Sequence, residues 1–153
     1  MNTREDIDKF YSSRTLAVFG YSDKKSSFAK MATSEFALRG YSVVGVNPKA
    51  TEESAPACYA SLGQWAENNG TPDAALIVVN PKNSLAAVRE AIACGVKSIW
   101  IQQTSSSIPA EEECNRSGVS LVSGKCVLMY MPRTAGIHKL HKAIWSLFGL
   151  TVK

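Results

Sequence analysis

The sequence predicts an α/β protein, a single domain built on a doubly wound, mostly parallel five-stranded sheet, and three observations predict it. Five short apolar runs rich in valine, isoleucine and aromatic residues read as strands buried on both faces. Segments with apolar residues at helical spacing stand between them. Glycine or an Asn-Pro step closes most of these units, as turn chemistry requires.

The elements follow in order. Thr3-Arg4-Glu5-Asp6 has the form of a capping box, with Thr3 placed to satisfy an early backbone N–H and Asp6 favoured by the positive end of the dipole, and it predicts a short helix to about Ser12. Thr15 to Gly20 is the first strand. From Ser27, the residues Phe28, Met31, Ala32 and Phe36 fall on one helical face, and Gly40 stops the helix. Ser42 to Val46 is the second strand, ended by Asn47-Pro48, because proline cannot donate to a central ladder. Residues 50 to 58 read as loop. Ser61 to Asn68 is a short helix with Leu62 and Trp65 inward, broken by Gly70-Thr71-Pro72.

Ala74 to Val79 is the third strand, and Asn83 is placed to cap a helix carrying Leu85, Val88 and Ile92, which Gly95 closes. Val96 to Ile101 is the fourth strand. Pro109 and the acids Glu111, Glu112 and Glu113 suit the start of a helix that Gly118 ends, before a fifth strand from Val119 to Val122. Strands alternating with helices require right-handed crossovers, hence a Rossmann-like sheet covered on both faces; its strand order is open at this stage. A C-terminal amphipathic helix over about 133–149 carries Ile137, Leu140, Ile144 and Leu147 as its apolar stripe.

Charge is distributed unevenly. Five basic residues and no acid lie beyond residue 123, so the basic character of the chain belongs to its tail. No apolar run reaches the roughly 18 residues of a membrane span, and acids stand at the amino terminus where a signal peptide avoids them. A cytoplasmic protein is expected. Cys58, Cys94, Cys114 and Cys126 form no CxxC pair, which speaks against a zinc ribbon or a dithiol redox motif and for reduced thiols.

In such sheets ligands bind beyond the carboxyl ends of the strands, where the strand order reverses. The loop after the first strand, from Gly20 through Ser22, Lys24 and Lys25, opens a helix whose free N–H groups suit a phosphate. Gly20 would serve an ordinary strand end equally well. The G-x-G-x-x-G fingerprint is absent, with Ser22 at its second glycine and Lys25 at its third, which disfavours NAD. After the second strand stand Asn47, Pro48 and Lys49, where an NAD site wants an acid for the ribose. A lysine there suits a phosphate on the ribose, the 3′-phosphate of coenzyme A or the 2′-phosphate of NADP, and a solvated surface lysine reads the same way. Val79, Asn80 and Pro81 follow the third strand, and their Asn-Pro step offers a rigid extended backbone to a ligand. Gln102 follows the fourth.

With these residues on the page, the chain from about Arg14 to Met129 resembles the small coenzyme A-binding domain family, related to the coenzyme A-binding domain of the succinyl-coenzyme A ligase alpha subunit. Leu16 through Ser22 is similar to the family's first strand and Gly-x-Ser turn. Gly40-Tyr41, Val46 through Lys49, Cys58 through Leu62, Val79 through Pro81, Trp100 through Gln102, and Lys125-Cys126 with Leu128-Met129 carry the rest. The resemblance implies phosphate at the first turn, the adenosine end at the loop after the second strand, and pyrophosphate beside the proline-bearing third loop. It implies Ser22, Lys49 and Asn80-Pro81 as ligand residues. Asp23 through Ser27 departs from the pattern, since relatives more often show a proline and an arginine there, and a lysine lacks the arginine's forked geometry. The synthetase relatives carry their phosphorylated histidine in another domain, so the resemblance implies binding rather than catalysis.

His138 and His141 stand three apart near the C-terminus, and two ligands do not make a metal site. Cys126 follows the fifth strand near where a pantetheine arm would run, although a buried structural thiol is the reading that suits it better. No nucleophile-elbow sequence and no Walker lysine loop occurs. The expectation is non-catalytic binding of coenzyme A or an acyl thioester, not an enzyme, with no nucleic-acid partner and with a second copy of the chain left open. An NADP-dependent oxidoreductase is the first alternative; a regulatory module whose basic tail binds a partner is the second.

Overall fold

The apolar runs become strands of one parallel sheet in the computed structural model, which describes residues 1–24, 26–50 and 57–132. The strands are β1 (Thr15–Phe19), β2 (Ser42–Val46), β3 (Cys58–Tyr59), β4 (Ala74–Ile77), β5 (Ser98–Gln102) and β6 (Ser120–Lys125). They lie in the order β3-β2-β1-β4-β5-β6, and every neighbouring pair is parallel. The chain therefore winds outward from β1 to one edge, returns to β4, and winds outward to the other edge. The reversal between β1 and β4 is the switch point of a doubly wound sheet.

The sheet has six strands where five were expected. The additional one, β3, is only two residues long and lies in a stretch read as loop; it adds to the edge of β2 by pairing Cys58 with Gly45 and Tyr59 with Val46. So short a strand carries no periodicity for a sequence reading to detect.

Among the described residues five helices cover the faces: α1 (Arg4–Tyr11), α2 (Phe28–Leu38), α3 (Leu62–Asn69), α4 (Pro81–Ala93) and α5 (Ile108–Ser117). The capping box of α1 forms as expected, with the Thr3 hydroxyl accepting from Asp6 N–H at 3.0 Å and the Asp6 carboxylate accepting from Thr3 N–H at 3.0 Å. A second correction concerns α4. Its N-cap is Asn80 and not Asn83, and Pro81 occupies the first helical position, where a missing N–H costs nothing. The strand before it accordingly ends at Ile77, two residues short of Val79. Gly118, in the left-handed conformation at the end of α5, closes that helix as the sequence required. The expected C-terminal helix, with His138, His141 and the basic tail, lies outside the described residues.

Alternation along the strands divides the core in two. Leu16 and Val18 of β1, Ala74 and Leu76 of β4, Trp100 and Val122 pack beneath α1 and α2, joined by Phe10, Phe36, Val127 and Leu128. Ala17, Phe19, Val44, Val46, Ala75, Ile77, Ile99, Ile101 and Leu121 face the layer of α3, α4 and α5. Trp100 is fully buried, and its indole N–H is satisfied by the Lys125 carbonyl at 3.0 Å. At the outer margin of β6, Asn2 donates its N–H to the Leu121 carbonyl at 2.9 Å, and its side-chain oxygen accepts from Ser123 N–H at 2.7 Å. Among the described residues no helix is long and apolar enough to cross a membrane.

Candidate functional site

At the reversal, the chains leaving β1 and β4 depart to opposite faces, and a cleft opens between them. It has a volume of about 560 Å³, within the range of sites for small ligands. Phe19 and Gly20 from β1, Val46 through Lys49 from β2, and Val78 through Asn80 from β4 bring three strand ends together around it. Asn83, Ala86, Ala87 and Glu90 of α4 form another wall, and Ala60 completes the lining. A smaller cavity of about 340 Å³ adjoins it through Ala60, beside Cys58, Tyr59 and Gln64.

The strand ends meet closely because of Gly20. Its φ is +86°, its N–H donates to the Val46 carbonyl at 2.9 Å, and a Cβ at this position would stand 1.9 Å from the Val78 carbonyl oxygen. Only glycine fits such a contact. The reading that left Gly20 open between ligand and fold therefore gains a definite steric reason on the side of the fold. Beyond it, Tyr21 turns inward over Gly45, its hydroxyl donating to Asp23 at 2.9 Å. Burial and the adjacent Asp23 push this phenol up to about 12.

Asn47 braces the loop after β2. Its amide N–H donates to the Tyr21 carbonyl at 2.7 Å, while its side-chain oxygen accepts from Lys49 N–H at 2.9 Å. Lys49 itself is exposed on the cleft wall. On the β4 side, Val79 N–H donates to the Ser105 hydroxyl at 3.0 Å, and Asn80 accepts from Lys82 N–H at 3.2 Å while capping α4. Asn80 and Asn83 thus place the N-terminal turn of a 13-residue helix on the cleft and aim its positive dipole end there, although Pro81 has no N–H and the N–H groups of Lys82 and Asn83 are already taken by Asn80.

Of the residues singled out from sequence, the structure brings Gly20, Asn47, Pro48, Lys49, Val79 and Asn80 into one cleft. Others lie outside its lining. Ser22 is half-buried in the turn, accepting from Lys24 N–H at 3.4 Å; Lys24 is exposed; Pro81 is exposed at the start of α4; and Lys25 lies outside the described residues. Gln102 points into the core instead, 2% exposed, with its side-chain oxygen accepting from Val127 N–H at 3.1 Å. The segment after β6 folds back over the end of β5 and claims that amide. Cys126 is buried beside it.

Sequence reasoning missed the wall of α4. Asn83, Ala86, Ala87 and Glu90 follow the i, i+3, i+4, i+7 rule, but this polar-and-small stripe gains meaning only once the helix is known to flank the switch point. Among the described residues, no group of three or more His, Cys, Asp and Glu side chains gathers to hold a metal. The thiols are poorly activated where a shift is evident: burial and neighbouring glutamates push Cys114 up to about 12, and burial raises Cys94.

A family model described as the CoA binding domain matches residues 14–132. The chain belongs to the CoA-binding domain family. The matched span coincides with the sheet and the cleft, and it agrees with the resemblance drawn from the sequence. Among solved structures this CoA-binding domain is similar to a hypothetical protein from Pyrococcus horikoshii OT3, with 26% identity, a TM-score of 0.75, and coverage of 84% of this chain and 89% of that one. It is also similar to a conserved hypothetical protein from Pyrococcus furiosus, at 26% identity and a TM-score of 0.68, covering 77% of this chain and 99% of the other. A more distant likeness in fold is to RSP in complex with beta-NADH, at 12% identity and a TM-score of 0.51, over 88% of this chain and 59% of that one. No curated protein matches the chain.

Proposed function

We propose that this protein binds coenzyme A, free or as an acyl thioester, in the cleft at the β1/β4 reversal, and that it does so without catalysing a reaction. The observation that carries the proposal is the meeting, in a domain of the CoA-binding family, of three strand ends and a capped helix N-terminus around one cleft bearing Lys49. The roles divide by chemistry. The first turn of α4 supplies a positive dipole end to phosphate, Lys49 supplies a mobile positive charge for the phosphate on the ribose, and the apolar wall accommodates uncharged parts of the ligand. Binding alone is favoured because the described lining offers amides, one ammonium and one carboxylate, without a nucleophile paired to a base.

A thermal-shift titration with coenzyme A, dephospho-coenzyme A, NADP and NAD, on the wild type and on Lys49→Ala, tests this. A ligand present at a hundred times its dissociation constant stabilises the folded state by about 2.7 kcal/mol, a rise of roughly 5–10 °C for a domain of this size. Coenzyme A is expected to give that rise. Removal of the 3′-phosphate or of the Lys49 ammonium is expected to weaken binding about tenfold, the worth of one charge-assisted hydrogen bond. A larger response to NADP would replace coenzyme A by the oxidoreductase's cofactor. No response to any nucleotide would bring forward the partner-binding module, whose association should then depend on salt and on residues 133–153.

A further inference from the structure

Asn83, Ala86, Ala87 and Glu90 form one stripe of α4, and the whole stripe lines the cleft, so a ligand bound there lies along this helix. The stripe is polar only at its ends. Its first end is the amide-rich, electropositive start of the helix, marked by the Asn80 cap. About 10 Å further along, at 1.5 Å per residue, stands Glu90, the one acid among the described residues of the lining. A carboxylate accepts hydrogen bonds and repels phosphate.

Glu90 is also held in place. Its Oε1 accepts from the N–H of Leu62, the first residue of α3, at 2.5 Å, which pins the side chain between two helices. Among the described residues no other hydrogen bond reaches this carboxylate, so Oε2 keeps its acceptor capacity on the cleft wall. The alanines at 86 and 87 leave space for a chain of atoms to pass from one end of the stripe to the other.

We infer that Glu90 determines how the ligand lies: its second oxygen accepts a hydrogen bond from an N–H group of coenzyme A, with the phosphates at the opposite, N-terminal end of the α4 stripe. This inference rests on the coenzyme A reading above. Coenzyme A offers such donors in the amides of its pantetheine arm and in the amine of its adenine, and either satisfies the same acceptor.

The test is Glu90→Gln, studied by calorimetric titration with coenzyme A, adenosine 3′,5′-bisphosphate and inorganic pyrophosphate. Glutamine keeps an oxygen for Leu62 N–H, so the unliganded protein should melt where the wild type does, but it turns N–H donors toward the ligand's own N–H. Coenzyme A should bind about tenfold more weakly, while pyrophosphate, which has no N–H group, should bind no more weakly than to the wild type. If adenosine 3′,5′-bisphosphate weakens in parallel with coenzyme A, the donor is the adenine amine; if it does not, the donor is an amide of the arm. Unchanged coenzyme A affinity would overturn the inference, and so would an equal loss for pyrophosphate, which would reveal a deformed cleft. Failure of the wild type to bind coenzyme A at all would overturn the proposed function itself.

Discussion

Replacing Gly20 by alanine should damage the protein in two separable ways. The backbone torsion comes first: a φ of +86° costs a residue with a Cβ about 1–2 kcal/mol. The second is steric, because the new methyl group would stand 1.9 Å from the Val78 carbonyl oxygen and 2.7 Å from its carbon. Both are backbone atoms, so the end of β4 must move, at an overpacking cost of about 1–3 kcal/mol. Gly40 provides the control. Its φ is +85°, and nothing lies within 4 Å of where its Cβ would be, so Gly40→Ala carries the torsional cost alone. With a urea dependence of about 2 kcal/mol/M for a small domain, the unfolding midpoint of Gly20→Ala should fall below that of Gly40→Ala by about 0.5–1.5 M. Because Val78 and Val79 line the cleft, coenzyme A binding should weaken in the first variant and not in the second. Coincident midpoints would refute the claim that the strand ends are in contact at Gly20.

Two further outcomes follow from particular groups. Burial alone would raise the carboxyl of Asp6, but hydrogen bonds from the Thr3 hydroxyl and N–H and from Ser120, with the N-terminal amine nearby, outweigh it and hold the group at about 2, below its ordinary 3.8. Its pKa is depressed on folding, so the stability it contributes is complete above about pH 5 and is lost as pH falls through 2 toward about 1. The amount is about 2 kcal/mol at most, and urea titrations of Asp6→Asn and wild type should converge across that window; a gap as wide at pH 2 as at neutral pH would contradict the assignment. Gln102→Leu should strand the buried Val127 N–H and cost about 1–3 kcal/mol in chemical denaturation. Its coenzyme A affinity should equal that of the wild type, and a loss of affinity would return Gln102 to the ligand.

What the sequence made legible was what local chemistry dictates. Buried parallel strands appear as unbroken apolar runs, so β1, β2, β4, β5 and β6 could be read within a few residues, and the Thr3/Asp6 box announced α1 directly. The order of strands was not legible, because no local signal tells β4 to return beside β1. Asn80-Pro81 was located correctly, and Asn80 is extended as expected with φ −57° and ψ 139°, but the helix starts at Pro81 and not after Asn83, because an Asn-Pro step ends a strand or starts a helix with the same residues. The cleft was half legible. Residues that end strands at the switch point were found from topology, whereas Gln102 shares that position in sequence but is captured by Val127 from a distant segment. The α4 wall was invisible until the helix had a neighbour.

The two margins of the sheet share a property that bears on how this protein meets others. On one side the outermost strand is β3, two residues long, and on the other the middle of β6 already has its outward Leu121 carbonyl and Ser123 N–H taken by Asn2. A long, bare strand would be a template for any extended polypeptide and hence a seed for aggregation. Among the described residues neither margin offers one, so an added strand finds little to copy. The second residue of the chain, outside the cleft lining, thereby occupies backbone groups that an incoming strand would need.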